Sequence, residues 1–274
     1  MALTKVLITV KTYPTISHKY EELVCTAGLL EDGKWIRIYP IPFRKRDYEQ
    51  QYSKYDWIEL DLVPNKSDFR PESFRPYSID SPIAIKGRIN TDHNWKARKE
   101  IVLKNVYYSL TKLIIEAHNP EIRTSLATYK PKEIIDFIAE PDDREWDRNK
   151  IAKLEANRQQ GNMFKHPENP FDVVDKLPYK FRYVFIDEDG TKRKMMIEDW
   201  ETGALYWRML AKYEGNESKA VDAVRTKYLN DFARTKDLYF YLGTTLKYHI
   251  RKSKNPFVIV GTFSPKFESQ TSLF

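Results

Sequence analysis

Alternating hydrophobic and polar residues run through the first third of the chain and predict β-strands. The runs are rich in β-branched and aromatic residues, and Asp32-Gly33 between the second and third runs is typical of a two-residue hairpin turn. The predicted strands are 6–10, 22–30, 34–41 and 57–63, with a shorter edge strand at 82–86. Several short strands with few helices favour a small barrel or a strongly curled sheet.

A helical period replaces this alternation after residue 95. Apolar residues recur three and four positions apart between Ile101 and Ile114, and predict one or two helices that end before Asn119-Pro120. Short strands follow at 126–129 and 134–139. The polar segment 141–161 predicts an exposed helix that begins near residue 143, and the three prolines within 162–178 indicate a linker.

The final third mixes both patterns and completes the predicted architecture. Strands are expected at 181–186, 194–198, 237–242 and 257–262, and helices at 201–213, 218–233 and 245–252. We predict an α+β fold, with an N-terminal β-rich, barrel-like part followed by a mixed α/β C-terminal part. The predicted division is a nucleic-acid-binding β-rich domain (1–140), a charged helix and proline-containing linker (141–178), an α/β domain (179–263) and a tail (264–274).

The amino-acid composition indicates the cellular compartment and the chemical type of partner. The 274 residues include one cysteine, which excludes a disulfide framework and indicates a reducing compartment. Neither a stretch of membrane-spanning length nor a signal peptide is present, so we expect a cytoplasmic protein with no membrane partner. A net charge of +7 and an aromatic content of 14% favour a polyanionic partner, because rings stack on bases while cations offset phosphate charge.

The third predicted strand and the loop after it carry the first candidate nucleic-acid surface. Ile36 and Ile38 alternate with polar or aromatic side chains, which predicts one apolar face and one face for binding. The binding face and the basic loop contribute Trp35, Arg37, Tyr39, Arg44, Lys45 and Arg46. The alternative is a solvated loop over a tyrosine-rich core.

Two further basic groups extend the candidate surface. Phe-Arg-Pro occurs twice and holds Arg70 and Arg75 in extended geometry, suited to a phosphate or a base edge. An equally open interpretation is a crossover that its phenylalanines fix to the core. Near the other end, Lys247, Arg251 and Lys252 lie on or beside a predicted helix and are expected to face a nucleic-acid backbone, unless they are ordinary surface charge.

Acidic residues around one predicted hairpin are the candidates for catalysis. Asp187, Asp189, Glu198 and Asp199 are the carboxylates that would hold Mg²⁺ for phosphodiester cleavage. No Asp followed on the next strand by Glu-x-Lys completes the commonest nuclease core. Turn formation and helix capping explain the same residues without a metal.

Other cofactors find no support in the sequence. The five histidines are scattered and show no metal-ligand spacing, and the chain has no glycine-rich phosphate loop. We therefore predict no metal and no cofactor, with Mg²⁺ expected only if the protein is a nuclease. Whether it is an enzyme stays open.

The last five residues form a short candidate partner-binding peptide. Gln270 offers hydrogen bonds at the mouth of a groove, while Leu273 and Phe274 are paired apolar anchors. This Gln-x-x-Leu-Phe end resembles the peptide by which bacterial DNA polymerases and repair proteins bind the DNA sliding clamp. Thr271 replaces the leucine usual after the glutamine, which implies weaker binding. The resemblance covers five residues.

Together these features predict a DNA-associated, nucleoid-associated protein that is recruited to the replication sliding clamp. Its expected setting is replication-linked repair, genome surveillance or phage-linked defence. One alternative is a magnesium-dependent nuclease that uses the acidic hairpin. Another is an RNA-binding or RNA-modifying protein, because a basic surface alone does not separate DNA from RNA.

Overall fold

The N-terminal region is built almost entirely of strands. The structure, a computed structural model, describes residues 3–17, 21–149, 151–153, 156 and 174–268. The N-terminal strands are β1 (Leu3–Lys11), β2 (Thr15–Ser17), β3 (Glu21–Leu29), β4 (Trp35–Ile41), β5 (Asp56–Pro64), β6 (Ser73–Pro76) and β7 (Ala84–Arg88). Each predicted strand of this region is confirmed, with boundaries shifted by up to three residues.

Five of these strands close into a barrel. Their order is β1–β3–β4–β6–β5, and β5 pairs with β1 to complete the ring; only β4 and β6 run parallel. Val6, Ile8, Ile36, Ile38 and Ile58 alternate along their strands and fill the interior. Closure removes the two open sheet edges that such short strands would otherwise expose.

The turn between β3 and β4 depends on glycine at position 33. Gly33 has φ +86°, in the left-handed region, and its N–H donates to the carbonyl of Leu30 at 2.9 Å. A Cβ here would also lie 2.9 Å from the side chain of Lys104. Any other residue would therefore be strained, which explains the Asp32-Gly33 pair that predicted the hairpin.

The remainder of the chain mixes helices and strands, as predicted. The helices are α1 (Asp92–Val102), α2 (Leu110–His118), α3 (Trp200–Lys212), α4 (Glu217–Arg225), continued by a π-helical segment (Thr226–Ala233), and α5 (Leu246–Ile250). The strands are β8 (Val106–Tyr107), β9 (Leu126–Tyr129), β10 (Glu133–Pro141), β11 (Tyr179–Ile186), β12 (Lys192–Met196), β13 (Tyr239–Thr244) and β14 (Phe257–Phe263). The fold is α+β.

Two sheets organise this C-terminal part. One has the order β10–β11–β12 and the other β14–β13–β9–β8, so residues 106–141 pair with strands that come after residue 178. Aromatic rings fill the space between the elements: Phe137 stacks on Phe181 and Tyr228, with centroids 5.8 and 5.1 Å away. Burial of such large rings supplies most of the driving force for this half of the fold.

The outer face of the barrel is covered by the second sheet. Leu7 and Leu29 of the barrel form one buried cluster with Leu126, Tyr241 and Val260 from β9, β13 and β14. The barrel therefore has two buried faces along these strands. Arg37, on the covered side of β4, therefore cannot reach solvent.

A left-handed turn opens α1 and holds the end of the described chain. His93, Asn94 and Trp95 have φ of 48°, 52° and 61°. In this conformation the Asn94 amide accepts from the N–H of Lys266 at 2.9 Å and donates to its carbonyl at 3.0 Å. Asparagine tolerates left-handed backbone better than most residues, so it suits this position.

The segment predicted as a charged helix and linker is described only in part. Residues 148, 149, 151–153 and 156 are helical, and most of the predicted linker lies outside the described residues. Among the helices of the described chain, none combines the length and apolar character needed to cross a bilayer.

Candidate nucleic-acid interface

Arg37 does not lie on an open binding surface, contrary to the sequence-based expectation. Its side chain is on the outer face of β4, as the alternation predicted, but that face is covered and the residue is 3% exposed. Nη1 donates to Oγ of Ser125 at 3.0 Å, and Nη2 donates to the Ser125 carbonyl at 3.1 Å. Arg37 therefore ties the barrel to the loop that leads into β9.

Arg70 is also interior and belongs to the same buried polar group. It is 8% exposed, donates to the Thr244 carbonyl at 2.7 Å and forms an ion pair with Asp68. Glu72 accepts from the N–H and the hydroxyl of Ser125 at 2.9 and 2.8 Å. We call this group the Arg37 network; its members are Arg37, Arg70, Glu72, Ser125, Thr244 and His249. It matches the crossover interpretation of the Phe-Arg-Pro repeat.

His249 completes the network from α5. Its ring is 3% exposed, with Nδ1 3.0 Å from the Thr244 hydroxyl and Nε2 2.6 Å from the Ala117 carbonyl. Burial lowers the pKa of His249, and the charges of Arg70 and Arg37 act in the same direction. The neutral ring donates from Nε2 and accepts at Nδ1, which satisfies both neighbours.

The basic loop after β4 contains one arginine that hydrogen bonds hold in place and one that is exposed. Arg46 is half-buried; its guanidinium donates to the carbonyls of Ser81, at 2.9 Å, and Ile79. Arg44 is exposed. The side chain of Lys45 lies outside the described part of the structure. Of this loop, Arg44 is the cation that the structure places at the surface, beside the pocket described below.

Other predicted cations and rings are exposed but dispersed. Arg75 donates to the carbonyls of Pro76 and Tyr77, and Tyr39 is 38% exposed. Lys247, Arg251 and Lys252 lie exposed on and after α5. Trp35 is half-buried and packs edge-on against Tyr241, with centroids 5.4 Å apart.

The acidic hairpin residues stabilise local structure. Asp187 is fully buried and accepts from the N–H of Leu110, at the start of α2, and from the Tyr129 hydroxyl, both at 2.9 Å. Asp189 accepts from Thr111 and from the N–H of Thr191. Both positions fit the turn and helix-dipole interpretation.

Asp199 lies at a different place and has different partners. It is 1% exposed, caps α3, and accepts two bonds of 2.8 Å from Nζ of Lys54 on the barrel. Burial alone would lower the pKa of Lys54, but the carboxylates of Asp199 and Glu201 outweigh it and raise that pKa. Burial raises the pKa of the neighbouring Glu198. Within the described residues, no group of three or more histidine, cysteine or acidic side chains is arranged to hold a metal.

A second lysine lies beside this pair. Lys11 Nζ donates to the Tyr52 carbonyl at 3.2 Å and lies 4.4 Å from the ring centroid of Phe43 and 5.3 Å from that of Trp200. Burial lowers the pKa of Lys11, and the charge of Lys54 lowers it further. We call Lys11, Lys54, Asp199 and Glu201 the Lys54 cluster.

An aromatic pocket of about 270 Å³ adjoins the Lys54 cluster through Trp200. Its walls include Tyr13, Arg44, Asp175, Trp200 and Trp207, and we call it the Trp200 pocket. Trp207 Nε1 donates to the Tyr13 hydroxyl at 2.8 Å, which donates in turn to the Asp175 carbonyl at 2.8 Å. The Tyr13 ring lies against Gly203, where a Cβ would come within 2.3 Å of it. The rings are therefore held in place before any ligand arrives.

Sequence reasoning missed most of this pocket. Trp200 and Trp207 are seven positions apart, two helical turns, and this spacing was the signal available for a shared face of α3. Tyr13 and Lys11 come from the far end of the chain, and no local pattern brings them to α3. The predicted partner-binding residues Gln270, Leu273 and Phe274 lie outside the described residues.

Comparisons with known proteins give a family and a distant structural similarity. A search of curated proteins finds no match. Among solved structures, the chain is similar to a murine DNA-binding protein bound to double-stranded DNA, at 9% identity over 98% of each chain, with a TM-score of 0.32. That TM-score is too low to assign a common fold. Residues 2–104 match a model described as a domain of unknown function, DUF8758. Residues 106–274, more than half of the chain, match another, and the protein belongs to this family, the domain of unknown function DUF8757.

Proposed function

We propose that this protein binds nucleic acid, and that it holds an unpaired base in the Trp200 pocket. The observation that carries the proposal is the combination of fixed aromatic rings with the exposed Arg44 at one pocket. Flat rings stack on any base, and a guanidinium beside them pairs with a phosphate. The net charge of +7 favours approach of a polyanion.

At this pocket two cations outnumber the wall carboxylate of Asp175 and favour a nucleotide over a neutral aromatic ligand. Arg44 lines the pocket directly, and Lys11 lies 5.3 Å from the Trp200 ring. Each ring–base stack contributes about 1–3 kcal/mol, and each phosphate contact makes binding weaker as salt rises. Single-stranded or locally distorted DNA offers both groups, whereas an intact duplex keeps its bases stacked.

The test is fluorescence anisotropy with labelled single-stranded DNA, duplex DNA and single-stranded RNA at fixed salt. Arg44→Glu is compared with Arg75→Glu, because both replace an exposed arginine by the same charge and only Arg44 lines the pocket. We expect Arg44→Glu to weaken binding of single-stranded DNA about tenfold, and Arg75→Glu by less than about threefold. Equal losses, or no binding by the wild-type protein, would refute the pocket. Tighter binding of RNA than of DNA would favour the RNA-binding alternative.

We propose further that residues 270–274 recruit the protein to the DNA sliding clamp of bacteria. Support comes from the Gln-x-x-Leu-Phe pattern. Two buried apolar anchors, each contributing roughly 1.5–3 kcal/mol before ordering costs, suggest binding near the micromolar level. Such recruitment would place the protein on the nucleoid during repair, surveillance or defence.

A pull-down with purified clamp tests this second step independently of DNA. Deletion of residues 270–274, or the double substitution Leu273→Ala/Phe274→Ala, is expected to abolish capture. Thr271→Leu restores the residue usual in clamp-binding peptides and is expected to strengthen it. Capture that survives the deletion would remove the clamp from the proposal.

A further inference from the structure

A second and larger pocket lies at the seam between the barrel and the C-terminal part. Its volume is about 490 Å³, and it is formed by β4, the residues after Arg70, and the connection into β8 and β9. The side chains that matter for ligand binding are Trp35, Glu72, Phe74, Asn105 and Tyr107. We call it the Trp35 pocket. Seams between parts of a fold are common sites for small ligands, and this volume is in the usual range.

Three aromatic side chains give the Trp35 pocket fixed, flat walls. Trp35 is held by its edge-on contact with Tyr241, and the Tyr107 hydroxyl donates to Oε2 of Glu116 at 2.7 Å. Phe74 is half-buried against the barrel core. Rings held in this way lose little freedom when a planar ligand stacks on them.

Polar groups on the same walls have unused hydrogen-bonding capacity. Each Glu72 oxygen accepts one bond from Ser125, which leaves a lone pair on each for a further donor. Among the described residues, the Trp35 indole N–H and the Asn105 side-chain amide have no hydrogen-bond partner. A ligand would therefore meet a hydrogen-bond donor at Trp35, an amide that both donates and accepts at Asn105, and a carboxylate acceptor at Glu72. An amino-substituted nitrogen heterocycle presents the complementary groups.

The rim of the pocket argues against a phosphate-bearing ligand. Lys34 is ion-paired with Asp32 at 2.8 Å, and Lys104 donates to the Glu31 carbonyl at 2.7 Å. Because both cations already have partners and acidic residues lie beside them, a phosphate gains little there.

We propose that the Trp35 pocket binds a nucleobase, either as a free nucleoside or as an unpaired base of a nucleic acid. Ring stacking and the hydrogen bonds of Trp35, Glu72 and Asn105 recognise the base. The site is separate from the Trp200 pocket, because the two pockets share no wall residue.

Calorimetric titration tests the site with adenosine, guanosine, cytidine and thymidine, and with the matching monophosphates. We expect at least one nucleoside to bind with a Kd between about 10 µM and 1 mM, and its phosphate to change the affinity by less than about threefold. Asn105→Ala is the main variant, since Asn105 is exposed and its loss leaves the core intact. It should weaken binding about fivefold or more. Trp35→Phe keeps the ring but removes the N–H, and should weaken binding as well.

A competition experiment identifies whether the base comes from a free nucleoside or from a nucleic acid. A duplex with one unpaired base that competes with the nucleoside, and does so less well against Asn105→Ala, assigns the site to nucleic acid. Competition by nucleosides alone assigns it to a free ligand. Arg75→Glu, at an exposed arginine that lines neither pocket, should leave nucleoside affinity unchanged. Absence of binding by every nucleoside up to about 10 mM, or equal affinity in Asn105→Ala, overturns the proposal whatever the result for DNA binding.

Discussion

Arg37 and Arg44 are close neighbours on and just after β4, yet their guanidinium groups meet opposite surroundings. Arg37 is enclosed by Ser125 and Thr244 and joins two parts of the fold, whereas Arg44 is exposed at an aromatic pocket. The same division separates Arg70 from Arg75. A basic residue identified in the sequence therefore contributes either to folding or to binding. Which of the two it does depends on whether another element packs over it. Substitutions of buried and of exposed basic residues test this division between folding and binding.

The largest effect is expected at Lys54, whose buried ammonium group is paired with Asp199 and Glu201. Lys54→Met leaves the buried Asp199 carboxylate without its partner, and should lower the free energy of unfolding by about 3–5 kcal/mol. Urea denaturation measures the loss. The matched double variant Lys54→Met/Asp199→Asn keeps a capping side chain without the charge, and should recover part of it. A loss below about 1 kcal/mol in the single variant would show that the ion pair is not buried in solution.

Arg37→Met should cost somewhat less, because it removes hydrogen bonds without leaving a buried charge unpaired. We expect a loss of about 1.5–3 kcal/mol in the free energy of unfolding, since the hydrogen bonds from the guanidinium to the hydroxyl and the carbonyl of Ser125 are lost. The folded variant should bind DNA within about twofold of the wild-type protein. A loss of DNA affinity as large as that of Arg44→Glu would place Arg37 in the interface and contradict the division.

A smaller effect follows from the protonation of His249. Because its pKa is lowered in the folded protein, the unfolded state binds a proton more readily below the ordinary histidine pKa of about 6.5. Stability from this group is present above that pH and is lost as the pH falls below it. His249→Gln removes the titration, so unfolding free energies of the two proteins should converge as the pH falls from 7.5 to about 5.5. A constant difference between them would mean that His249 titrates normally.

The smallest effect on stability is expected for Arg44→Ala. Exposed side chains away from special features usually change the free energy of unfolding by less than about 0.5 kcal/mol. Its effect should show instead in binding, where the slope of log affinity against log salt for single-stranded DNA should fall by about 0.7. An unchanged slope would mean that Arg44 contacts no phosphate.

Local patterns were sufficient to predict most elements of this fold, but not the strands β2, β6 and β8 and not the residues of its pockets. The alternation of Ile36 and Ile38 predicted which face of β4 is apolar, and Asp32-Gly33 predicted the hairpin. Neither pattern reports that a second sheet covers the other face of the barrel, which is why Arg37 was predicted to face solvent. The pockets combine residues far apart in sequence, such as Tyr13 with Trp207, and depend on packing that only the folded chain specifies.

The turn that holds Lys266 against Asn94 fixes the point from which the following residues extend. Phe274 is six residues after Glu268, and an extended chain advances about 3.5 Å per residue, so these residues span at most roughly 20 Å. If the proposed clamp binds Leu273 and Phe274, its binding groove would therefore lie within about that distance of Glu268. This short connection would then limit how the clamp is oriented over the barrel. Inserting glycine and serine residues into the connection would widen the range of orientations without altering either binding surface.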